Sequence, residues 1–376
     1  MKTMGFQTLE TFDTKYSADS VEWCPAEGYE DIFVCGTYQL ETQETRVGRI
    51  YLFQIVKAEE DQVSLKLLQH LDGAGVLDTK WAHVKCCGKV LLGVARFTGH
   101  LQIYELVEDS EKARLTIVAE VLIRDEGQSQ PIALSLDWST GRREPSDNAN
   151  VKITVSDSHG SVSLFQLSDD ANGLRKIFSG HGHDFEAWIA AFDYWDTNVV
   201  YTGGDDGKFL TFDTRMDGDV LKANFTNRSH EAGVTSFHSN WKKQFYLVSG
   251  SYDENLRTWD TRNLRQPMEQ LNLGGGIWRL KWDPYEAKYL LAAGMYGGFI
   301  IIDAEVDETP EIVAVYDDHQ SIAYGCDWSH LNKNVEKKLK LLNDSNSHDV
   351  FLGTCSFYDH CLKLSSIKLD GFTNFV

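Results

Sequence analysis

The stretch 249-SGSYDENLRTWDTR-262 carries a serine, two acids and a Trp-Asp pair, and His230 lies a little upstream. Ser, His and Asp together can run acyl transfer. A hydroxyl attacks, an imidazole takes its proton, and a carboxylate orients the imidazole. A second group, 180-GHGHD-184, offers two histidines at i, i+2 beside an acid, a pattern that can hold a metal. Whether these residues do chemistry depends on the elements that carry them.

Moved back 47 positions, the stretch lands without a gap on 202-TGGDDGKFLTFDTR-215. Asp253 meets Asp206, Trp259 meets Phe212, and Asp260-Thr261-Arg262 meets Asp213-Thr214-Arg215. Further copies lie at 155-VSDSHGSVSLFQ-166, 292-AAGMYGGFIIID-303 and 355-CSFYDHCLKLSS-366, with weaker ones at 94-VARFTGHLQIYE-105 and 46-RVGRIYLFQ-54. A second element precedes each copy: 20-SVEWCP-25, 78-DTKWAH-83, 135-SLDWST-140, 189-IAAFDY-194, 236-SFHSNW-241, 279-RLKWDP-284 and 325-GCDWSH-330. Its apolar and polar residues alternate with the period of a strand. Two further apolar runs complete each unit. The cleanest units are 43 to 47 residues long and bear Gly-His and Trp-Asp marks, which are those of WD40 blades. The spacing predicts an all-β, seven-bladed WD40 propeller filling 1–376 as one domain. The run 5-GFQTLETF-12 belongs to no complete blade. It is expected to close the ring as the outer strand of the seventh. A polar insertion at 329–349 is expected to form a loop with a short helix in that blade.

This frame redirects the apparent triad. A His before the first strand, a Ser or Thr on the second, an Asp in the next turn and a Trp on the third can form a buried polar network, because buried polar groups must be paired. Here these are His230, Ser249, Asp253 and Trp259. The blade before repeats them as His183, Thr202, Asp206 and Phe212, and a catalytic triad has no reason to occur twice. No G-x-S-x-G elbow occurs. His183 is explained by the same register and His181 reads as a loop residue, so no metal site is expected.

A net charge of −20 repels nucleic-acid phosphate and anionic membranes and favours a cationic ligand or basic partner. Seven cysteines without a C-x-x-C pair read as reduced thiols. The opening residues lack the apolar core of a signal peptide, and no apolar run reaches a membrane span. A monomeric cytoplasmic protein is expected.

The strings 17-SADSVEWCP-25, 35-CGTYQL-40, 134-LSLDWSTG-141, 183-HDFEAWIAAFDYW-195, 203-GGDDG-207, 274-GGGIWRLKWDP-284 and 354-TCSFYDH-360 go beyond what WD40 blades share. With the opening stretch they resemble the WD-repeat diphthine methyl esterase family, also called diphthine methyltransferase, along almost the whole chain. Ser365 departs from the pattern, standing where a blade-closing aromatic is expected. The resemblance implies hydrolysis of the methyl ester of methylated diphthine on elongation factor 2. Diphthine and methanol are released, and no cofactor is called for.

The sequence holds residues suited to such a substrate. A trimethylammonium group is held by aromatic faces with carboxylates nearby. Trp188, Trp278 and Tyr324 fall at the start of the innermost strands of blades four, six and seven, and Tyr252 and Tyr358 in turns of the same face. Asp205, Glu186 and Asp19 add negative charge. For ester hydrolysis, His360 stands outside the network register and is a candidate base, with Glu186 as an alternative. Arg279 is a candidate oxyanion stabiliser, and Ser20 a candidate nucleophile in competition with water. A non-enzymatic reading remains. The Asp-Thr-Arg endings at Arg215 and Arg262 resemble those of propellers that bind a cullin-RING ligase adaptor through the opposite face.

Overall fold

In the computed structural model, each repeat folds as one antiparallel sheet of four strands, and seven such sheets stand around a central channel. It describes residues 5–42, 45–57, 62–109, 112–124, 129–143, 150–216, 222–305, 308–331 and 349–369. Blade one comprises β2 (Ser17–Trp23), β3 (Ile32–Leu40), β4 (Arg46–Lys57) and β5 (Val63–Ala74). Blade two runs through β6 (Val76–Trp81), β7 (Leu91–Arg96), β8 (His100–Asp109) and β9 (Lys112–Leu122). Blade three has β10 (Ala133–Trp138), β11 (Lys152–Asp157), β12 (Ser161–Leu167) and β13 (Leu174–His181). Blade four has β14 (Ile189–Phe192), β15 (Val199–Gly203), β16 (Phe209–Asp213) and β17 (Ala223–Asn227). Blade five has β18 (Val234–Ser239), β19 (Tyr246–Ser251), β20 (Asn255–Asp260) and β21 (Glu269–Asn272). Blade six has β22 (Arg279–Trp282), β23 (Tyr289–Ala293), β24 (Phe299–Asp303) and β25 (Glu311–Tyr316). Blade seven takes β26 (Ala323–Trp328), β27 (Asp349–Ser356) and β28 (Cys361–Lys368) from the end of the chain and β1 (Phe6–Asp13) from its beginning. β1 pairs antiparallel with β28, from Phe6 opposite Ile367 to Asp13 opposite Cys361. Most of the 329–349 insertion lies outside the described residues.

Hydrophobic burial is distributed between blades. Seven apolar clusters each join two neighbouring blades. One unites Leu91 and Ile103 of blade two with Trp138, Ile153 and Phe165 of blade three, and another links Phe351 and Leu364 of blade seven to Trp23 and Phe33 of blade one. Burying one such large side chain contributes roughly 1.5–3 kcal/mol, so each blade depends on both neighbours. Inner strands are covered on both faces, while the outermost strands β5 and β21 are half-buried to exposed along their length. The alternation read from the inner strands therefore separates blade interface from channel, not core from water. Ser365 lies buried in this frame, and its hydroxyl has no partner among the described residues.

Inside blade five, Nδ1 of His230 lies 3.0 Å from Asp253, and its Nε2 lies 2.7 Å from the Ser249 hydroxyl, which accepts from Trp259 Nε1 at 2.8 Å. Blade four repeats the arrangement, with His183 2.9 Å from Asp206 and 2.8 Å from Thr202. Burial keeps the His230 imidazole neutral by lowering its pKa. Burial opposes ionisation of Asp206 and Asp253, but hydrogen bonds from His183 and Lys208, and from His230 and Arg257, outweigh it and hold both below the usual carboxylate range. These carboxylates thus stabilise the fold above the ordinary carboxyl pKa of about 4, and the contribution is lost as the pH falls below it. Asp253→Asn should cost about 2–3 kcal/mol in urea unfolding at neutral pH. The Asp206→Asn/Asp253→Asn pair should flatten the acid side of the melting-temperature curve. An acid limb as steep as that of the native chain would refute this account.

Candidate active site at the mouth of the channel

Each inner strand runs away from one end of the channel and its partner returns, so the entry to the first strand and the turn after the second meet at the same end. Four residues before the last residue of each inner strand stand Asp19, Leu77, Leu134, Trp188, Thr235, Trp278 and Tyr324. In five blades this position is a β-bulge. The ladders pass from Ala18 to Ser20, Val76 to Asp78, Ala133 to Ser135, Val234 to Ser236 and Ala323 to Gly325, skipping the residue between. A bulge re-aims the extra side chain. In blades four and six, Trp188 and Trp278 immediately precede the strand.

Aromatic residues at this level make a continuous arc. The Trp188 and Trp278 rings meet edge-on at 5.6 Å, Tyr252 stacks on Trp278 at 6.1 Å, and Tyr324 follows at 4.8 Å. Phe357 continues from Tyr324 at 4.9 Å, with Tyr38 and Tyr358 each 5.0 Å from it. Tyr358 is 71% exposed and forms the outer lip. Trp188 donates its Nε1 proton to Asp205 at 3.0 Å, and the Glu186 carbonyl accepts from the Asp205 amide at 2.9 Å. The Glu186 carboxylate is close enough to Tyr252 to raise its pKa, after burial, Asp205 and Asp19. The five aromatic candidates read from the sequence thus share one face of one opening. Tyr38 and Phe357 join them unforeseen. They lie in the strings CGTYQL and CSFYDH, but no repeat register marks them as inward-facing.

Beneath the arc lies a charged floor. Arg279 pairs with Asp78 at 3.1 Å, and its guanidinium stands 5.6 Å from the Trp278 ring centroid. Asp19 is 1% exposed, and its Oδ1 has no hydrogen-bond partner among the described residues. Burial pushes its pKa up to about 8, against the pull of Arg279 and with the help of Asp78. The buried Nε1 of Trp278 likewise has no hydrogen-bond partner among the described residues. Ser20 is buried below, its hydroxyl accepting from Thr79 at 3.1 Å. Deeper still, Lys281 binds Glu22, and Lys80 lies 3.2 Å from Asp137.

The far end is covered. Arg142 lies 4.0 Å over Trp195, and Arg143 lies 4.8 Å over Trp241 and donates to the Pro284 carbonyl at 3.2 Å. Gly141 packs so tightly that a Cβ would stand 2.1 Å from Tyr194. Among the described residues the channel below the mouth is thus largely filled by side chains, with cavities of about 20 and 40 Å³ remaining.

His360 is placed elsewhere. It occupies the left-handed position of the β27–β28 turn at φ 53°, as Glu254 does in blade five at φ 67°. Its carbonyl accepts from the Thr14 amide at 2.8 Å and hydroxyl at 2.9 Å, and its imidazole acts on Asp13, at the end of the outermost strand. The structure does not join it to the arc. His319, Asp359 and Cys361 bring three potential metal donors within 4.8 Å. Both ring nitrogens of His319 already meet hydroxyls, Ser356 at 2.6 Å and Thr354 at 2.9 Å, so this is blade seven's version of the internal network. On the opposite face Arg215 binds Asp213 at 2.7 Å and Asp196 at 3.1 Å, and Arg262 binds Asp260 at 2.6 Å.

Fold and mouth together define a seven-bladed propeller whose channel mouth gathers aromatic rings beside Asp205 and Asp19, groups of the kind that hold a cation. A chain in the crystal structure of the mitotic checkpoint complex superposes with a TM-score of 0.67 over 98% of this chain and 94% of its own, at 16% identity, and so shares the fold. No family model matches. The human diphthine methyltransferase is 40% identical over 87% of this chain and 76% of its own length, and the Dictyostelium discoideum homolog is 35% identical over 93% and 96%. The chain belongs to the diphthine methyltransferase family.

Arg279 is the countercharge for Asp78. Arg279→Met should cost about 3–5 kcal/mol by urea denaturation, since it leaves the buried Asp78 carboxylate without its cation. Arg279→Lys should recover part of that loss. Equal stability of all three chains would show that the floor does not depend on this charge.

Proposed function

We propose that the chain hydrolyses the methyl ester of methylated diphthine on elongation factor 2, a step of diphthamide biosynthesis. The observation that carries this reading is the aromatic arc over a buried carboxyl and an unpartnered indole N–H. The substrate side chain bears a trimethylammonium group and an ester, so it needs a cation site and a donor to the ester carbonyl in one recess. The family's name, which refers to diphthine and a methyl group, supports the substrate class.

In this reaction a water oxygen bonds to the ester carbonyl carbon, and the bond from that carbon to the methoxy oxygen breaks. The water's proton passes to a base and then to the leaving methanol. Trp278 Nε1–H and Arg279 are the donors nearest to a developing oxyanion. Glu186, on the rim beside Tyr252, is better placed than His360 to take the proton. Ser20 lies beneath the floor, which favours water over serine as nucleophile.

Incubation with elongation factor 2 bearing the methyl ester, followed by intact mass, should show loss of one methyl per factor; persistence of the ester would remove the reading. Glu186→Gln should slow the reaction by roughly 10²-fold or more, as expected for removal of a general base. His360→Ala should leave it near the native rate. The reverse pattern would return the base to His360.

A second reading rests on the opposite face. Arg215 and Arg262 are paired with aspartates yet remain 57% and 65% exposed, and arginine is a frequent interface anchor. A groove between blades four and five runs beside Arg262, lined by Trp195, Phe245 and Leu264. Two DDB1- and CUL4-associated factor 11 homologs, from Caenorhabditis briggsae and Caenorhabditis elegans, are 26% and 29% identical over 38% and 31% of this chain. As a ligase substrate receptor, the chain should retain the adaptor in a pull-down and lose it with Arg215→Ala or Arg262→Ala. Equal capture by both variants would argue against this surface.

A further inference from the structure

Asp19 is the one acid among the seven mouth positions. It is the extra residue of the β2 bulge, since Ala18 faces Thr37 and Ser20 faces Gly36. The charged and titratable groups that act on it or feel it are Arg279 from blade six, Asp78 from blade two, the phenols of Tyr38, Tyr252 and Tyr324, and the Cys355 thiol. The nearby cation is already spoken for, because Arg279 is bound to Asp78 at 3.1 Å. The phenols are held neutral chiefly by burial. A buried carboxylate without its own cation or hydrogen-bond donor is costly, and such a group takes up a proton instead. A permanent cation among the rings above would supply the missing charge.

We propose that Asp19 is the charge sensor of the mouth: it is protonated when the recess is empty and releases its proton to solvent when a quaternary ammonium group enters the aromatic arc. The exchange balances as neutral carboxyl plus cation giving a carboxylate–ammonium pair and one free proton. This rests on the cation-binding reading of the mouth and adds a selection rule to it. A neutral group of the same shape gains the ring contacts but leaves the carboxyl protonated. Asp19 is thus a specificity residue for charge, adding to the cation–π preference of the rings.

The test uses the full chain with choline and its uncharged isostere 3,3-dimethyl-1-butanol. Calorimetry at pH 7 in phosphate and in Tris, whose ionisation enthalpies differ, counts the protons released. Choline should release close to one proton per site, and its affinity should rise about tenfold per pH unit between roughly pH 6 and 7.5. The isostere should bind more weakly and release none. Asp19→Asn, which keeps the shape of the side chain, should bind choline more weakly, with no proton release and a flat pH profile. Choline binding by the native chain without proton release, or release that survives in Asp19→Asn, overturns the proposal and leaves the aromatic site standing. No choline binding by the native chain overturns both.

Discussion

Because the sheets radiate, neighbouring inner strands in the ring are joined largely by side chains, and the backbone adds single links near the mouth, such as the Val234 amide to the Gly204 carbonyl and the Ala323 amide to the Met295 carbonyl, each at 3.0 Å. Trp81, Trp138, Trp282 and Trp328 reach back to the carbonyls of Glu22, Lys80, His238 and Lys281 in the blade before. In the other direction Asp78, Asp137 and Asp327 accept the amides of Leu136, Phe192 and Trp23 in the blade after. The last of these links blade seven to blade one, beside the apolar cluster that β1 helps to cover. Stitching of this kind commits acids to the channel wall. Acids there demand cations, and Lys80, Arg279 and Lys281 supply them. The charged interior follows from how the ring is held, and the mouth inherits its chemistry from that interior. Asp19, at the bulge level above the stitches, is left outside the pairing.

The same logic explains why this protein imitates a serine hydrolase in its sequence. A buried imidazole has one donor and one acceptor to satisfy, and a carboxylate on one side with a hydroxyl on the other is the compact solution. Enzymes and blades reach it for different reasons. In blade five the hydroxyl also receives the Trp259 indole proton, which ties it to the third strand and keeps it away from any substrate.

Much of the architecture could be read from the chain because it is periodic. Seven copies of two short elements gave blade number, order and the strand-one closure. The aromatic residues of the mouth were readable for a related reason: counting within a repeat locates the start of an inner strand. The bulge was not readable. It adds one residue to an inner strand without changing composition, yet it decides that Asp19 and Tyr324 turn toward the axis. Tyr38 and Phe357 were invisible because they come from second strands and turns, where inward direction depends on the neighbouring blade. His360 shows the converse difficulty. Standing outside the polar network made it seem available, but a left-handed turn residue points where the turn sends it, here toward the rim and Asp13. Arg143 was passed over because its role depends on reaching Pro284, 141 residues away in sequence.

That covered lower end has a bearing on traffic. A tunnel would let a small alcohol drain away behind its parent. A filled channel does not, so in the proposed hydrolysis methanol would leave past the side chain that delivered it or wait for that side chain to withdraw. A carrier protein would in that case have to present the side chain on a projection narrow enough to enter among the rings of the arc. Entry and retreat by the same door would then make docking and release of the whole macromolecule part of every turnover of the proposed reaction.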